Sequence, residues 1–289
     1  MNIDPFVRSL AKQKLNCEGI IVLRHGKKIA EYRWIPEAPR NSFSVTKSVI
    51  SIAIGIAIDR GKLSLDSRIV DVLPEFARGA GKRLSALTLE HLLTMTRGHA
   101  AFSRPATAAE AAAQPLKYRP GSRFVYDNGS AFLASAMFTR SMGINARDFL
   151  LDALFRPLGI ADPEWPQSPD GHSNGGTGLM LTTSDLARFG QLLLQGGKWR
   201  GKQIVSSAWI ESAGRPQTGT GLRRLDCNLG YGFYFWPSRH GAYRADGRNG
   251  QFVVVLPRQD AVVAINSDDP KPYPILYAVW DEILPQLFS

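Results

Sequence analysis

The sequence predicts an α+β fold in which one antiparallel sheet, drawn from both ends of the chain and flanked by helices, surrounds an all-helical insertion. Three observations predict it. Alternating or β-branched segments stand at residues 19–35 and return after 228, the stretch from about 60 to 215 carries helix starts and loops, and residues 44–58 form an apolar run too long for a strand. Residues 1–60 and 216–289 are then the sheet domain, residues 61–215 the helical domain, and the cleft between them the expected place for a site.

Residues 19–24 and 29–34 flank a His25-Gly26-Lys27 turn, which signals a hairpin. The run from Ser44 to Ile58 is rich in β-branched residues, but its length and its closure by Asp59-Arg60-Gly61 fit a helix ended by glycine. A helix apolar on every side belongs at the centre of a domain. Thr88-Leu89-Glu90 starts another helix, and Thr182-Thr183-Ser184-Asp185 caps one that runs to Gly196-Gly197. Strands are expected at 231–236, near 242–248, at 252–256 and, after a Pro257–Asp260 turn, at 261–266. An amphipathic helix over about 275–288 closes the chain.

With 289 residues, 44% of them apolar, the chain can bury a large core in one or two domains. Its longest apolar run, residues 49–58, is interrupted by Ser51 and Gly55 and falls short of the ~20 residues that span a bilayer. Asp4, Arg8, Lys12 and Lys14 interrupt the first fifteen residues, which therefore lack the apolar stretch of a secretory signal. The expected location is cytoplasmic, or periplasmic or secreted if a leader has been removed. Cys17 and Cys227 provide neither a disulfide framework nor Cys-x-x-Cys spacing and are expected to be inert. The formal net charge of +10 comes from scattered pairs such as Lys27-Lys28 and Arg223-Arg224 without a nucleic-acid-binding motif. A small molecule is the expected partner, with no nucleic acid and no membrane. His25, His91, His99, His172 and His240 show no metal-ligand spacing, so neither a metal nor another cofactor is expected.

Ser44-Val45-Thr46-Lys47 puts a hydroxyl at the first turn of the central helix and an amine three residues on, along the same face. A lysine desolvated there has a lowered pKa and can help to take the serine proton, while the helix N-terminus favours developing negative charge. Ser-x-x-Lys alone is weak, since Ser9-Leu10-Ala11-Lys12 repeats it. Support comes from Tyr126-Asp127-Asn128, where Tyr126 can act as general base on Ser44 and then as acid to the leaving group. Asn128 can hydrogen-bond both Lys47 and a substrate carbonyl or amide. A third element, Gly247-Arg248-Asn249-Gly250-Gln251, lies between two expected strands. There the N–H of Gln251 would join that of Ser44 in an oxyanion hole, and Gly250 would let substrate approach the backbone.

The ordered set Ser44-x-x-Lys47, Tyr126-x-Asn128 and Arg248-Asn249-Gly250 resembles the three motifs of class C β-lactamases, DD-peptidases and related esterases and amidases. Residues 87–98, 120–126, 176–190 and 231–236 are similar to the same family, so the likeness extends from about 19 to 285. It implies a β-lactamase/transpeptidase-like fold and acylation of Ser44 followed by hydrolysis, without metal or cofactor. Arg248, Asn249 and Gly250 then fall at substrate-binding positions with Asn128. The third motif departs from the family, which has Lys or His followed by Thr or Ser where Arg248 and Asn249 stand. The Gly-x-x-Gly-Gln form is more similar to the esterases and the 6-aminohexanoate-oligomer amidases. An ester or amide substrate is therefore expected ahead of a β-lactam. The alternatives are a β-lactamase or DD-peptidase, or a penicillin-binding-like sensor that is acylated without turnover.

A rival enzyme motif, Gly171-His172-Ser173-Asn174-Gly175, matches a nucleophile elbow with Asp226 or Asp246 and His240 as partners. An elbow needs a strand before its serine and a helix directly after. The flanking Pro- and Gly-rich segments predict loop instead.

Overall fold

The computed structural model describes residues 1–224 and 226–288. Helix α1 (Asp4–Gln13) leads into strands β1 (Cys17–Arg24) and β2 (Lys27–Arg33), joined by a tight turn in which His25 and Gly26 both take positive φ. Helix α2 (Val45–Asp59) follows, then α3 (Leu89–Leu93), α4 (Asn128–Met142), α5 (Thr183–Leu194) and α6 (Ser207–Gly214). The chain returns to the sheet through β3 (Trp236–Pro237), β4 (Tyr243–Gly247), β5 (Gln251–Leu256) and β6 (Ala261–Ser267), and α7 (Tyr273–Ala278) opens the C-terminal helical segment.

The six strands run in the order β2-β1-β6-β5-β4-β3, every neighbour antiparallel. β1 therefore pairs with the last strand as well as with β2, with Val22 opposite Val263 on one side and Ala30 on the other. Strand alternation divides the core in two. Ile20, Val22, Phe252, Val254, Val263 and Ile265 point to the layer formed by α1 and the C-terminal helices, where Phe6, Leu10, Ile275, Val279 and Trp280 are buried. Ile21, Val253, Val255, Val262 and Ala264 point the other way, onto α2 and α5. Both faces are covered, so β5 and β6 consist wholly of buried residues.

Helix α2 is buried continuously from Val45 to Ala57. It is the axle between the sheet and the helices around α4, as its all-round apolar sequence predicts. Capping boxes start α3 at Thr88, where His91 is the reciprocal partner, and α5 at Thr182, where Asp185 is.

Three expectations need correction. Helix α5 lies on the sheet, although it falls inside the expected helical domain 61–215. Gly190 makes this contact possible, since a Cβ there would stand 2.4 Å from Val262 Cγ1 and 2.8 Å from Val253 Cγ1. The amphipathic stripe with Leu186, Phe189 and Leu193 shows that α5 covers something, but not which layer. Residues 231–236 form a strand only at Trp236, because Tyr234 takes φ 65° and the Gly232 N–H turns back to the Phe235 carbonyl at 2.9 Å. The last helix is broken, α7 passing into a π-helical turn at Val279–Ile283 and a 3-10 turn at Leu284–Leu287. Among the described residues no helix is long and apolar enough to cross a membrane.

Candidate active site

Ser44 stands immediately before the first residue of α2, half-buried, with helical backbone angles. The turn that delivers it is unusual: Phe43 takes φ 44° and its N–H is held at 2.8 Å by Asn41 Oδ1. A bulky residue in the left-handed region is costly, of order 1–3 kcal/mol, and such strain is found where surrounding structure fixes a functional side chain.

One helical turn on, Lys47 is 1% exposed. Its Nζ lies 3.1 Å from Ser44 Oγ and donates to Asn128 Oδ1 at 2.7 Å and to the Gly176 carbonyl at 2.8 Å. These neutral acceptors leave the ammonium without a contacting carboxylate. Burial lowers its pKa from 10.5 to about 7, and the nearby charge of Asp127 opposes the fall. Near neutral pH a large fraction of Lys47 is therefore a free amine beside the serine hydroxyl.

Tyr126 borders the same cavity as Ser44, close enough for its phenol to interact with the serine hydroxyl. Its ring stacks on Trp236 at 5.9 Å, meets Tyr231 edge-on at 6.0 Å and lies 5.1 Å from Lys47 Nζ. Burial raises the phenol pKa more than the interaction with Ser44 lowers it, so Tyr126 rests protonated. Asp127 fixes this wall. Fully buried, it caps α4 through the Ser130 N–H at 2.9 Å and accepts from Arg97 Nε at 2.6 Å, and Arg97 is itself 2% exposed. Tyr126 and Asn128, on either side, are anchored by this ion pair and by the start of the helix.

Ser44, Tyr126 and Asn128 border a cavity of about 860 Å³. Phe43, Phe132 and Trp236 supply apolar wall, and Asn174, Gly176 and Thr177 close one side. β4 reaches it through Asp246, and the turn that follows through Arg248. Arg244 lies wholly buried behind Asp246, donating to Asp246 Oδ2 from Nε at 2.9 Å and to Ser238 Oγ from Nη1 at 2.7 Å.

A profile of the β-lactamase family matches residues 5–286. The chain belongs to that family. It is 24% identical to the 6-aminohexanoate-dimer hydrolase of Paenarthrobacter ureafaciens, over 88% of this chain and 73% of that protein. Among solved structures it is similar to the octameric penicillin-binding protein homologue from Pyrococcus abyssi, with a TM-score of 0.79, 19% identity and coverage of 100% of this chain and 78% of the other. A penicillin-binding protein homologue from Caulobacter crescentus gives a TM-score of 0.75 at 19% identity, covering 96% and 95%.

In this β-lactamase-family chain the structure brings Ser44, Lys47, Tyr126 and Asn128 together, and it redraws the third element. Asn249, Gly250 and Gln251 do not line the cavity. Asn249 sits at φ 62° and donates from Nδ2 to Asp268 Oδ1 at 2.8 Å. Gly250, at φ 93°, leaves room for Ser267 and Pro272, each within 3.2 Å of where a Cβ would stand, so its missing side chain serves packing and not substrate approach. Gln251 opens β5, buried, with its side-chain amide bonded to the Ser267 carbonyl. Arg248 is the member of this turn that reaches the cavity, and it is exposed. Spacing marks a turn there but not which of its residues faces inward.

The decoys are accounted for. Ser173 is fully buried, accepting from the Arg147 N–H at 2.9 Å and donating to Asn145 Oδ1 at 3.2 Å. Asp226 is bonded to Arg239 and to Trp280 Nε1, not to His240. Ser9 lies on α1, outside the cavity. Among the described residues no three His, Cys, Asp or Glu side chains cluster as metal ligands would. Sequence reasoning missed the Gly176 carbonyl as a partner of Lys47, although Gly176 opens one of the family-like segments. Trp236 belongs to the family-like segment 231–236, and Asp246, named above only as a partner of the rival elbow, lines this cavity instead.

Proposed function

We propose that the chain is a serine hydrolase that cleaves small esters or amides through an acyl-enzyme on Ser44. The observation that carries this is Lys47, held 3.1 Å from Ser44 Oγ at a cavity wall and desolvated to a pKa of about 7. The free amine takes the Ser44 proton as Oγ attacks the substrate carbonyl carbon. The negative charge on the carbonyl oxygen develops at the N-terminus of α2, where the Ser44 N–H and helix dipole favour it. Arg248, the cavity-facing residue of the β4–β5 turn, replaces Gln251 as the candidate for the second N–H. Tyr126, protonated at rest, gives its proton to the departing alkoxide or amine and recovers one from Lys47. Water then adds to the acyl carbonyl by the reverse relay and releases the acid and Ser44. Asn128 keeps its amide N–H₂ for the substrate, since its Oδ1 is taken by Lys47.

The amide side of this reading is supported by the 6-aminohexanoate-dimer hydrolase relative. The absence of a Ser or Thr hydroxyl at Asp246, Arg248 and Asn249 favours esters and amides over β-lactams. The test is one series with p-nitrophenyl butyrate, a chromogenic cephalosporin and an aliphatic amide dimer. Wild type should turn over the ester or the amide ahead of the cephalosporin, and Ser44→Ala should abolish that turnover. Tyr126→Phe should lower kcat by roughly 10²-fold or more, the scale of a general acid–base group. Activity that survives in Ser44→Ala would sink the assignment.

A further inference from the structure

Besides its catalytic wall, the cavity is bordered by four arginines from three separate parts of the chain. Arg104 comes from the loop before residue 108, Arg223 and Arg224 from the loop after α6, and Arg248 from the β4–β5 turn. All four are exposed, and none makes an ion pair with a described carboxylate. Arg104 lies over Phe102 at 5.3 Å, and Arg224 over Tyr273 at 4.4 Å. These aromatic contacts orient the guanidinium planes without neutralising them.

Asp246 is the only acidic residue among those lining the cavity; the buried Arg244 pairs with it and Arg224 also acts on its charge, so one carboxylate faces more positive charge than it can balance. The space in front of Ser44 is thus left with an uncompensated positive field. Walls of low polarizability strengthen such a field, and guanidinium forks match carboxylate and phosphate oxygens. Phe102 and Leu222, 49% and 43% exposed, stand on the arginine-bearing loops and add apolar surface at the same entrance.

We propose that the substrate is a net anion: an ester or amide whose aliphatic or aromatic part carries a carboxylate or comparable oxyanion, bound by Arg223 and Arg224 with Arg104 and Arg248 around the entrance. This rests on the hydrolase reading and narrows it. The arginine pair acts on KM and on charge selectivity, not on the proton transfers at Ser44.

The test uses the full chain and matched p-nitrophenyl esters that differ in terminal charge: the adipate half-ester, the hexanoate and the 6-(trimethylammonio)hexanoate. A second arm puts the charge on the leaving group, comparing 3-carboxyphenyl hexanoate with phenyl hexanoate. Ser44-dependent hydrolysis of the neutral esters is established first, so failure of the hydrolase reading is seen separately. In at least one arm the anionic ester should exceed the neutral one by tenfold or more in kcat/KM, mostly through KM, with the cationic ester lowest. The preference should shrink at 0.5 M salt, where the screening length falls to about 4 Å. Arg223→Gln with Arg224→Gln should reduce the anionic-to-neutral ratio by tenfold or more, and Arg223→Lys with Arg224→Lys should restore most of it. Taking the ratio within each variant cancels any loss of folded protein. Ratios below about twofold in both arms, or ratios unchanged by the glutamine pair, overturn the proposal.

Discussion

Replacing Asp127 by asparagine keeps the size of the side chain and an oxygen to cap α4, while it removes the charge opposite Arg97 and one acceptor, toward Arg97 or Ser103. Both partners are sealed from solvent, 0% and 2% exposed, with the guanidinium also bonded to the Ala111 carbonyl and Gln114. Removing one member of such a pair leaves the other buried and unanswered, which costs about 3–5 kcal/mol. For a chain of this length that corresponds to a fall in Tm of roughly 5–8 °C. Equilibrium urea unfolding of wild type, Asp127→Asn, Arg97→Met and the double variant measures it. The two single losses should exceed the double-variant loss by about 2 kcal/mol or more when summed, because the pair shares one interaction. The acid limb gives a second check. Despite its burial, Arg97 and Ser103 hold the Asp127 carboxyl below its usual 3.8. Its contribution is present above that value and lost as pH falls through the folded one, so wild type and Asp127→Asn should converge in strong acid. A loss under 1 kcal/mol in Asp127→Asn, or additive single losses, refutes the account of this wall.

The remaining predictions concern Lys47 and the seat of α5. With the amine titrating at about 7, the acylation rate, measured by stopped flow at limiting ester, should rise about tenfold per pH unit below 7 and level off above about 8; a flat profile from pH 5 to 9 removes Lys47 as the base. The same shift has a stability signature. The unfolded chain binds the extra proton between 7 and 10.5, so the cost of burying this amine, about 5 kcal/mol if the whole shift is expressed, declines as pH rises through that window. Lys47→Met should accordingly be inactive, yet lose less stability at pH 6 than its three lost polar contacts suggest, as chemical unfolding at pH 6 and 9 can show. Gly190→Ala should destabilise by about 1–3 kcal/mol, because its Cβ must displace Val262 or lift α5 from the sheet; unchanged stability in urea contradicts that packing.

Much of the frame is legible from short-range rules. The His25-Gly26 turn, the Thr182/Asp185 box and the apolar length of α2 each depend on residues close in sequence, and each specifies one local geometry. Ser44, Lys47 and Asn128 were readable because a helix fixes where the third residue on must point and because an Asx-capped start fixes Asn128. The third element was not. Asn249 and Gly250 are turn residues by chemistry, and their inward or outward facing depends on Asp268, Ser267 and Pro272, which only the fold brings near. For the same reason residues 231–236 read as a strand, since nothing in Tyr234 announces a left-handed backbone. Arg223 and Arg224 looked like another scattered basic pair until the cavity placed them beside Arg104 and Arg248.

The position of β1 has a consequence for how the chain is made. Its two neighbours are β2, synthesised at once, and β6, synthesised almost last. At ~5–20 residues per second, the hairpin of β1 and β2 waits roughly 10–50 s on the ribosome before β6 emerges. Through that interval the β6-facing edge of β1 offers free backbone groups to any other nascent strand, while α1 and later α5, which pack on its two faces, are made before β6. Protection of this edge during translation is thus a kinetic demand separate from the stability that the finished, doubly covered sheet attains.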